Sequence, residues 1–251
     1  MTTWVLLRGL MREARHWGEF PAQFQHAVGA QQLVTLDFPG NGRLHGQASA
    51  SSVPAMRQHI RSQLRQLGHA PPYCVLALSL GAMVALDWCN ACPQELESVV
   101  LINTSLAPYN PFYHRLRPSN YPALLGTMLA GSLAQREALI LRLTSHQGDS
   151  PRGAAILQQW IGYAKACPIT RANILRQLFA ALRYRAAAQT PAVPLLLLAG
   201  QQDQLVNVQC SIRLAQRWHC PINIHPTAGH DLPLDDAVWV IDQVRQWLAT
   251  E

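Results

Sequence analysis

The chain has 251 residues, 49% of them hydrophobic and 14% charged, with a formal net charge of +6. That length can bury a large core and is compatible with one domain carrying an insertion. No charged-then-apolar leader with a small-residue cleavage site is visible, and the apolar runs fall far short of a membrane span. The cysteines at 74, 89, 92, 167, 210 and 220 lack the density of a disulfide scaffold, and several lie in expected core elements, which points to a reducing, cytoplasmic setting. Nucleic acid is not an expected partner: there is no reading helix, zinc module or aromatic platform interleaved with the basic charge.

The first expected strand, Trp4-Val5-Leu6-Leu7, runs into Arg8-Gly9-Leu10. A second near 32–36 is followed by Asp37-Phe38-Pro39-Gly40-Asn41-Gly42, which Gly and Pro make a turn and to which no catalytic part is assigned. The apolar run Tyr73-Cys74-Val75-Leu76 leads into Ala77-Leu78-Ser79-Leu80-Gly81, then into the helix-like Ala82-Met83-Val84-Ala85-Leu86. This reads as a strand, a tight turn with Ser79 at its apex, and a helix. Bulky side chains two residues either side of the serine would collide, and Ala77 and Gly81 meet the need for small ones. Such a turn lifts the hydroxyl off the sheet and aims the free N–H groups of the helix N-terminus at the same spot.

Cys89 and Cys92 form a C-x-x-C near the end of that helix. They could be a redox pair or half a zinc site. Without a second C-x-x-C, and without a position at a helix start to lower a thiol pKa, they read as two small apolar residues one turn apart.

A fourth strand is expected near 97–103, and then the character changes. Between Ala107 and Ala188 the pattern is helical over 121–133, 135–143, 153–166 and 170–186, with spacings of three and four such as Leu139, Leu143 and Ile156, Trp160, Tyr163. Prolines and a glycine (Pro108, Pro111, Pro118, Gly148, Pro151, Pro168) punctuate the joins. One crossover connection does not require about eighty residues, so an inserted helical unit is expected rather than ordinary crossover helices.

The apolar run Pro194–Ala199 reads as a buried parallel strand. It ends in Gly200-Gln201-Gln202-Asp203, and a last short strand, Ile222–His225, is followed by Thr227-Ala228-Gly229-His230-Asp231. Serine, acid and histidine thus each follow a strand at its C-terminal end, the edge where open α/β sheets place their ligands. A serine hydroxyl needs a base within hydrogen-bond reach, which His230 supplies, and the imidazole needs an acid to fix its tautomer and stabilise its cation. Asp203 is the expected acid. Asp231 is the other candidate, but a direct neighbour of His230 reaches the far ring nitrogen with difficulty. His16 is an alternative histidine that does not follow a late strand.

These stretches, VLLRGL, LDFPGNGRLHG, ALSLGAMVAL, LLLLAGQQDQLV and HPTAGHDLPLDD, resemble the α/β-hydrolase superfamily nearly end to end. The closest look is to small esterases with a helical cap, including the pimeloyl-acyl-carrier-protein methyl ester esterases. Two positions depart from the usual pattern: Arg8 stands in place of the histidine after the first motif strand, and Ala77 in place of the first elbow glycine.

The resemblance implies an α/β-hydrolase fold with a mostly parallel sheet of about six strands, lacking the first two of larger members. Strands are expected near 4–8, 32–36, 73–78, 97–103, 194–199 and 221–225, with the core in 1–106 and 189–251 and the cap in 107–188. It implies a serine hydrolase acting on a carboxylic ester or thioester through an acyl-enzyme, with Ser79, His230 and Asp203 in the triad. The backbone N–H groups of Leu80 and Leu10 are the expected oxyanion hole. Met11, Tyr109, Phe112, Trp160 and Val206 are the expected pocket lining. Nothing suggests a metal or an organic cofactor.

Alternatives stay open: a non-hydrolytic protein that binds or senses a small ligand, or a carbon–carbon hydrolase or cofactor-free haloperoxidase using the same triad. Dehalogenases and epoxide hydrolases of the fold use a carboxylate where Ser79 stands, which disfavours them.

Charge is unevenly spread. Residues 107–188 hold ten Lys and Arg against Glu137 and Asp149, a net of +8, which leaves ten basic and twelve acidic residues, −2, elsewhere. A basic cap on a slightly acidic body suits an acidic partner such as an acyl carrier protein, a coenzyme A ester or anionic lipid. An arginine-rich solvated surface is the other reading.

Overall fold

The structure is a computed structural model and describes residues 3–148 and 150–250. Six strands form one sheet: β1 (Thr3–Leu7), β2 (Gln32–Leu36), β3 (Tyr73–Leu78), β4 (Leu96–Ile102), β5 (Leu195–Gly200) and β6 (Ile222–His225). All pairings are parallel, in the order β2-β1-β3-β4-β5-β6. The chain winds outward from β1 to β2, then crosses back to β3, so the sheet reverses direction beside β1 and β3. That reversal opens a crevice at the C-terminal strand ends.

The strands read as apolar runs because both faces of the sheet are covered. Val5, Leu7, Val75, Ala77, Val99, Leu101 and Leu197 point to one side, where they pack with α2 (Val53–Gln66), α3 (Leu80–Ala91) and α9 (Gln209–Trp218). Trp4, Leu6, Leu76, Val100, Ile102 and Leu198 point to the other, against α1 (Phe20–Ala27) and α11 (Ala237–Leu248). This alternation is the period of two expected of a strand. The central core is the hydrophobic term that stabilises the fold, at roughly 25 cal/mol per Å² of apolar surface removed from water.

Between β4 and β5 lie α4 (Phe112–Arg115), α5 (Tyr121–Ala130), α6 (Leu133–Thr144), α7 (Pro151–Ala166) and α8 (Arg171–Arg183), and the short α10 (Leu232–Asp235) follows β6. Local chemistry starts three of them: Ser132, Ser150 and Thr170 accept N–H bonds from Gln135, Gly153 and Asn173 as N-caps. Ser132 and Gln135 form a reciprocal capping box, so α6 starts before the expected Gln135. Helix α8 stops at Arg183, short of the expected 186. Tyr184 is extended and Arg185 bridges to Ala107, with the Ala186 N–H donating to the Ala107 carbonyl at 2.8 Å. The two ends of the helical segment between β4 and β5 therefore meet. Leu141, Ile156 and Trp160 form a small core of their own, joined by Leu234 of α10. Helix α5 is apolar yet buries none of its side chains, and Leu125 and Leu129 stand exposed on it. No helix among the described residues is long and apolar enough to cross a membrane.

The two cysteines of the C-x-x-C are core residues: Cys89 is buried and its thiol is pushed up to about 12 by burial, which leaves no reactive thiolate near neutrality. Arg57 Nη1 lies 3.6 Å from Cys92 Sγ.

Candidate active site

Ser79 sits between β3 and α3 at φ 56° and ψ −112°, a backbone conformation that L residues rarely adopt. Its N–H donates to the Ile102 carbonyl at 2.9 Å and its carbonyl accepts the first α3 bond from Met83 at 3.2 Å. Gly81 allows the turn to seat. A Cβ there would stand 2.6 Å from the Leu7 carbonyl oxygen and 2.7 Å from that of Arg8, so only glycine lets α3 press against the end of β1. Gly9 also brings the loop after β1 close to the serine, because its missing Cβ would lie 3.2 Å from Ser79 Cβ. Leu80 and Leu10, the expected oxyanion donors, thus flank the serine from two elements.

Asp203, 1% exposed on the loop after β5, approaches His230 on the loop after β6, with Oδ2 2.6 Å from Nδ1. The other oxygen, Oδ1, accepts the N–H groups of Leu205 (2.7 Å) and Val206 (2.9 Å). The carboxylate can only accept, so Nδ1 of a neutral His230 carries the proton and Nε2 keeps its lone pair. Among the described residues no hydrogen bond joins Ser79 Oγ to His230 Nε2. Such bonds often tighten only when substrate binds.

Asp231 has a different partner. Both of its oxygens face Arg8, with Nη1 3.0 Å from Oδ1 and Nη2 2.5 Å from Oδ2. The pair is buried, and the guanidinium carbon also lies 4.7 Å over the Trp17 ring. The arginine in the usual histidine position therefore has a structural use: it ties the end of β1 to the histidine loop. A second fastening comes from the insertion. The Asp231 N–H donates to the Thr144 carbonyl (2.7 Å), while Asp235 accepts from Ser145 Oγ (2.5 Å) and the Gly229 N–H (2.7 Å). Burial raises the Asp235 carboxyl above its ordinary range.

Asn103 was not singled out from the sequence. It is 2% exposed at φ 47°, just past β4. Its Nδ2 donates to the carbonyls of Gly229 (3.0 Å) and His230 (2.8 Å), and its Oδ1 accepts the Gly200 N–H (2.9 Å). One amide thus joins the loop carrying the acid to the loop carrying the histidine. The available signal was an asparagine closing an apolar strand at the functional edge, a residue type that tolerates the left-handed region.

His16 lies apart from this group. Its Nδ1 accepts the Glu13 N–H (3.2 Å), its Nε2 lies 2.8 Å from Arg12 Nη1, and its ring meets Trp160 and Tyr163 edge-on. Arg12 pairs with Glu137 of α6 at 2.8 Å and lies over Trp160. Trp160, an expected pocket residue, is therefore buried in the contact between the insertion and the loop after β1.

The other expected pocket residues are scattered. Tyr109 bonds the Ala187 carbonyl (2.5 Å) and meets Trp218 edge-on; Phe112 is 69% exposed; Val206 is buried behind Asp203; Met11 is half-buried beside Leu10. A cavity of about 550 Å³ opens instead within the insertion, against α5 and α6, with Ala123, Gly126, Ala138, Leu157 and Arg142 among its walls and none of Ser79, Asp203 or His230.

Burial, then the Arg12 and Arg8 guanidiniums, hold the His16 imidazole well below its ordinary 6.5. The unfolded chain consequently binds a proton there that the folded chain refuses. The resulting stability is present above about pH 6.5 and is lost as pH falls below it. Glu13 and Asp37, raised chiefly by burial, act with the opposite sign, stabilising at low pH and losing that contribution as pH rises through their raised values. Their windows open at the ordinary carboxylate values, below that of an imidazole, and run with the opposite slope, so His16→Gln should flatten the fall in Tm just below about pH 6.5. Parallel Tm-against-pH curves for the two proteins would show that His16 is not the group responsible.

The sequence profile of the Alpha/beta hydrolase family matches residues 4–243, and the chain belongs to that family. No curated protein sequence matches it significantly. Among solved structures it is similar to the enol-lactonase of Burkholderia xenovorans LB400, with a TM-score of 0.80 and 16% identity over 99% of this chain and 91% of that one. An esterase of Rhodococcus sp. ECU1013 gives a TM-score of 0.75 at 20% identity, covering 99% and 90%. The 2-hydroxy-6-oxo-6-phenylhexa-2,4-dienoate hydrolase of Rhodococcus sp. strain RHA1 gives 0.78 at 17% identity, again covering 99% and 90%. At these identities the likeness establishes the fold, and the family match makes the chain a hydrolase of the α/β-hydrolase kind.

Proposed function

We propose that this protein is a serine hydrolase that cleaves a carboxylic ester or thioester through an acyl-enzyme. The observation that carries the reading is the 2.6 Å contact of His230 Nδ1 with Asp203, placed on the same sheet edge as a serine held at φ 56°. His230 Nε2 takes the Ser79 proton as Oγ attacks the acyl carbonyl, and Asp203 stabilises the imidazolium. The Leu80 and Leu10 N–H groups hold the oxyanion. Collapse of the tetrahedral intermediate expels the alcohol or thiol, which receives the proton from His230. Water activated by the same imidazole then releases the acid. Residues 107–188 act as a cap over this site, and free thiols, four of the six buried, suit a reducing compartment.

The decisive experiment is labelling by a fluorophosphonate probe, with the modified residue located by mass spectrometry. Label at Ser79 supports the reading, and an unlabelled, folded protein would favour the ligand-binding alternative. A panel of p-nitrophenyl esters of increasing chain length, with acyl thioesters alongside, then defines the substrate.

The cap's charge supports an acidic carrier of the acyl group as the partner. Glu137 is spent in the buried pair with Arg12, whereas Arg142 and Arg152 are exposed. Arg142→Glu with Arg152→Glu should lower kcat/KM for a carrier-linked substrate and spare a neutral ester of the same acyl chain. The difference should shrink with salt, as the Debye length falls from about 10 Å at 0.1 M to about 3 Å at 1 M. Equal responses of both substrates would reduce the basic cap to a solvated surface.

A further inference from the structure

The loop after β1 carries one of the two oxyanion donors, and its shape is unusual. The Arg12 N–H donates to the Gly9 carbonyl at 3.2 Å, which closes a four-residue turn over Gly9–Arg12. Met11, third in that turn, has φ 63°, whereas Leu10 is not in the left-handed region. That combination defines a type II turn, which favours glycine or asparagine where Met11 stands. With a methionine there, the turn would relax by flipping the Leu10–Met11 peptide unless something outside it held the flipped form.

Gln177 supplies that hold. It lies on α8, is fully buried, and its Oε1 accepts the Met11 N–H at 3.0 Å. Its Nε2 donates to Asn41 Oδ1 (2.8 Å) and Ser49 Oγ (3.0 Å), so the whole amide is used. The acceptors are themselves fixed: Asn41 Nδ2 donates to the Arg12 carbonyl (2.9 Å) and Ser49 Oγ to the Pro39 carbonyl (2.6 Å). One turn earlier on α8, Asn173 accepts the Ser49 N–H (2.9 Å) and donates to the Gln47 carbonyl (2.9 Å). The loop after β2 is shaped for this amide, since a Cβ on Gly40 would stand 2.7 Å from Asn173 Nδ2.

We infer that Gln177 is a positioning residue for the oxyanion hole, acting by selecting the peptide orientation of the Gly9–Arg12 turn. The inference rests on the serine-hydrolase reading. In a trans peptide the carbonyl and N–H point in opposite directions. The Gly9 carbonyl is turned toward Arg12, so the Leu10 N–H of the same peptide points away from the turn. Pinning the Met11 N–H fixes the next peptide and stops the turn from rotating as a unit. Gly9, packed on Ser79 Cβ, sets the distance, its carbonyl bond to Arg12 sets the direction, and Gln177, by holding the central peptide, keeps that turn from rearranging. The donor's alignment therefore depends on a side chain of the inserted helices, 166 residues away in sequence.

The test is Gln177→Met, which keeps size and removes the acceptor. With a small activated ester, kcat should fall on the order of 10- to 100-fold, less than the loss of a whole oxyanion donor, while KM changes little. Phosphonylation of Ser79 should slow in parallel. Met11→Gly added to that variant should restore much of the loss, because glycine holds a type II turn unaided; a purely structural role for Gln177 predicts no such rescue. If Gln177→Met fails to fold, Gln177→Glu replaces it: a side-chain oxygen remains for Met11 while the donors to Asn41 and Ser49 go, so Tm should fall and kcat largely persist. Wild-type kcat in folded Gln177→Met, absence of rescue, or a loss of kcat in folded Gln177→Glu on the order of 10-fold or more each overturns the inference. An unlabelled wild-type Ser79 instead overturns the hydrolase reading on which it stands.

Discussion

Ser79→Ala and His230→Ala are each expected to lower kcat by on the order of 10⁴-fold or more, and the double variant by little more than either alone. The reason is that nucleophile and base act as one unit: without the imidazole the hydroxyl stays protonated, and without the hydroxyl the imidazole has nothing to activate but water. Both proteins should keep their fold. Ser79 is half-buried and its hydroxyl makes no hydrogen bond among the described residues, so alanine removes no packing of consequence. The elbow is held by backbone, through the Ile102 and Met83 bonds and the close approach of Gly81, all of which survive the change. Steady-state assays of each protein, with Tm as control, decide it. Near-wild-type turnover by Ser79→Ala on every substrate found would show that the elbow serine is not the nucleophile.

The strands were legible because a parallel sheet covered on both faces turns them into apolar runs, and local turn chemistry marked where they end. All six lie within a residue or two of their expected places. The helices between β4 and β5 were legible from their spacing, though their ends were not. Helix α8 ends where Arg185 meets Ala107, a partner far away in sequence. The same limit applies to the site. Ser79, Asp203 and His230 each sit at the end of a strand, so pattern and chain order single them out as candidates. Asn103 reaches residues 126 and 127 positions away, and Arg8 pairs 223 positions away. No periodicity announces such contacts. Trp160 shows a complementary limit: an aromatic residue at helical spacing does not say which surface its helix will cover, and this one covers Arg12 and His16.

Asp203→Asn and Asp231→Asn should fail in different ways, and the contrast tests the acid assignment. At Asp203, Oδ1 accepts two backbone N–H groups and Oδ2 faces His230 Nδ1. An asparagine can keep the first set by leaving its carbonyl oxygen there, which turns its amide N–H toward the imidazole. Nδ1 must then accept, the proton moves to Nε2, and the base can no longer take a proton from Ser79. The fold should survive while kcat falls on the order of 10²- to 10⁴-fold. At Asp231 the charge is engaged by a buried guanidinium whose Nε already has no partner among the described residues. Asparagine there leaves the Arg8 cation unbalanced, which should cost about 3 kcal/mol of stability and lower the urea midpoint, with kcat of the folded fraction much less affected. Measuring kcat and unfolding on both variants separates the two effects. A deeper loss of kcat at Asp231 than at Asp203 would place the orienting acid at 231. Mild loss at both would mean that His230 is oriented chiefly through its backbone, by the Asn103 amide that holds its carbonyl.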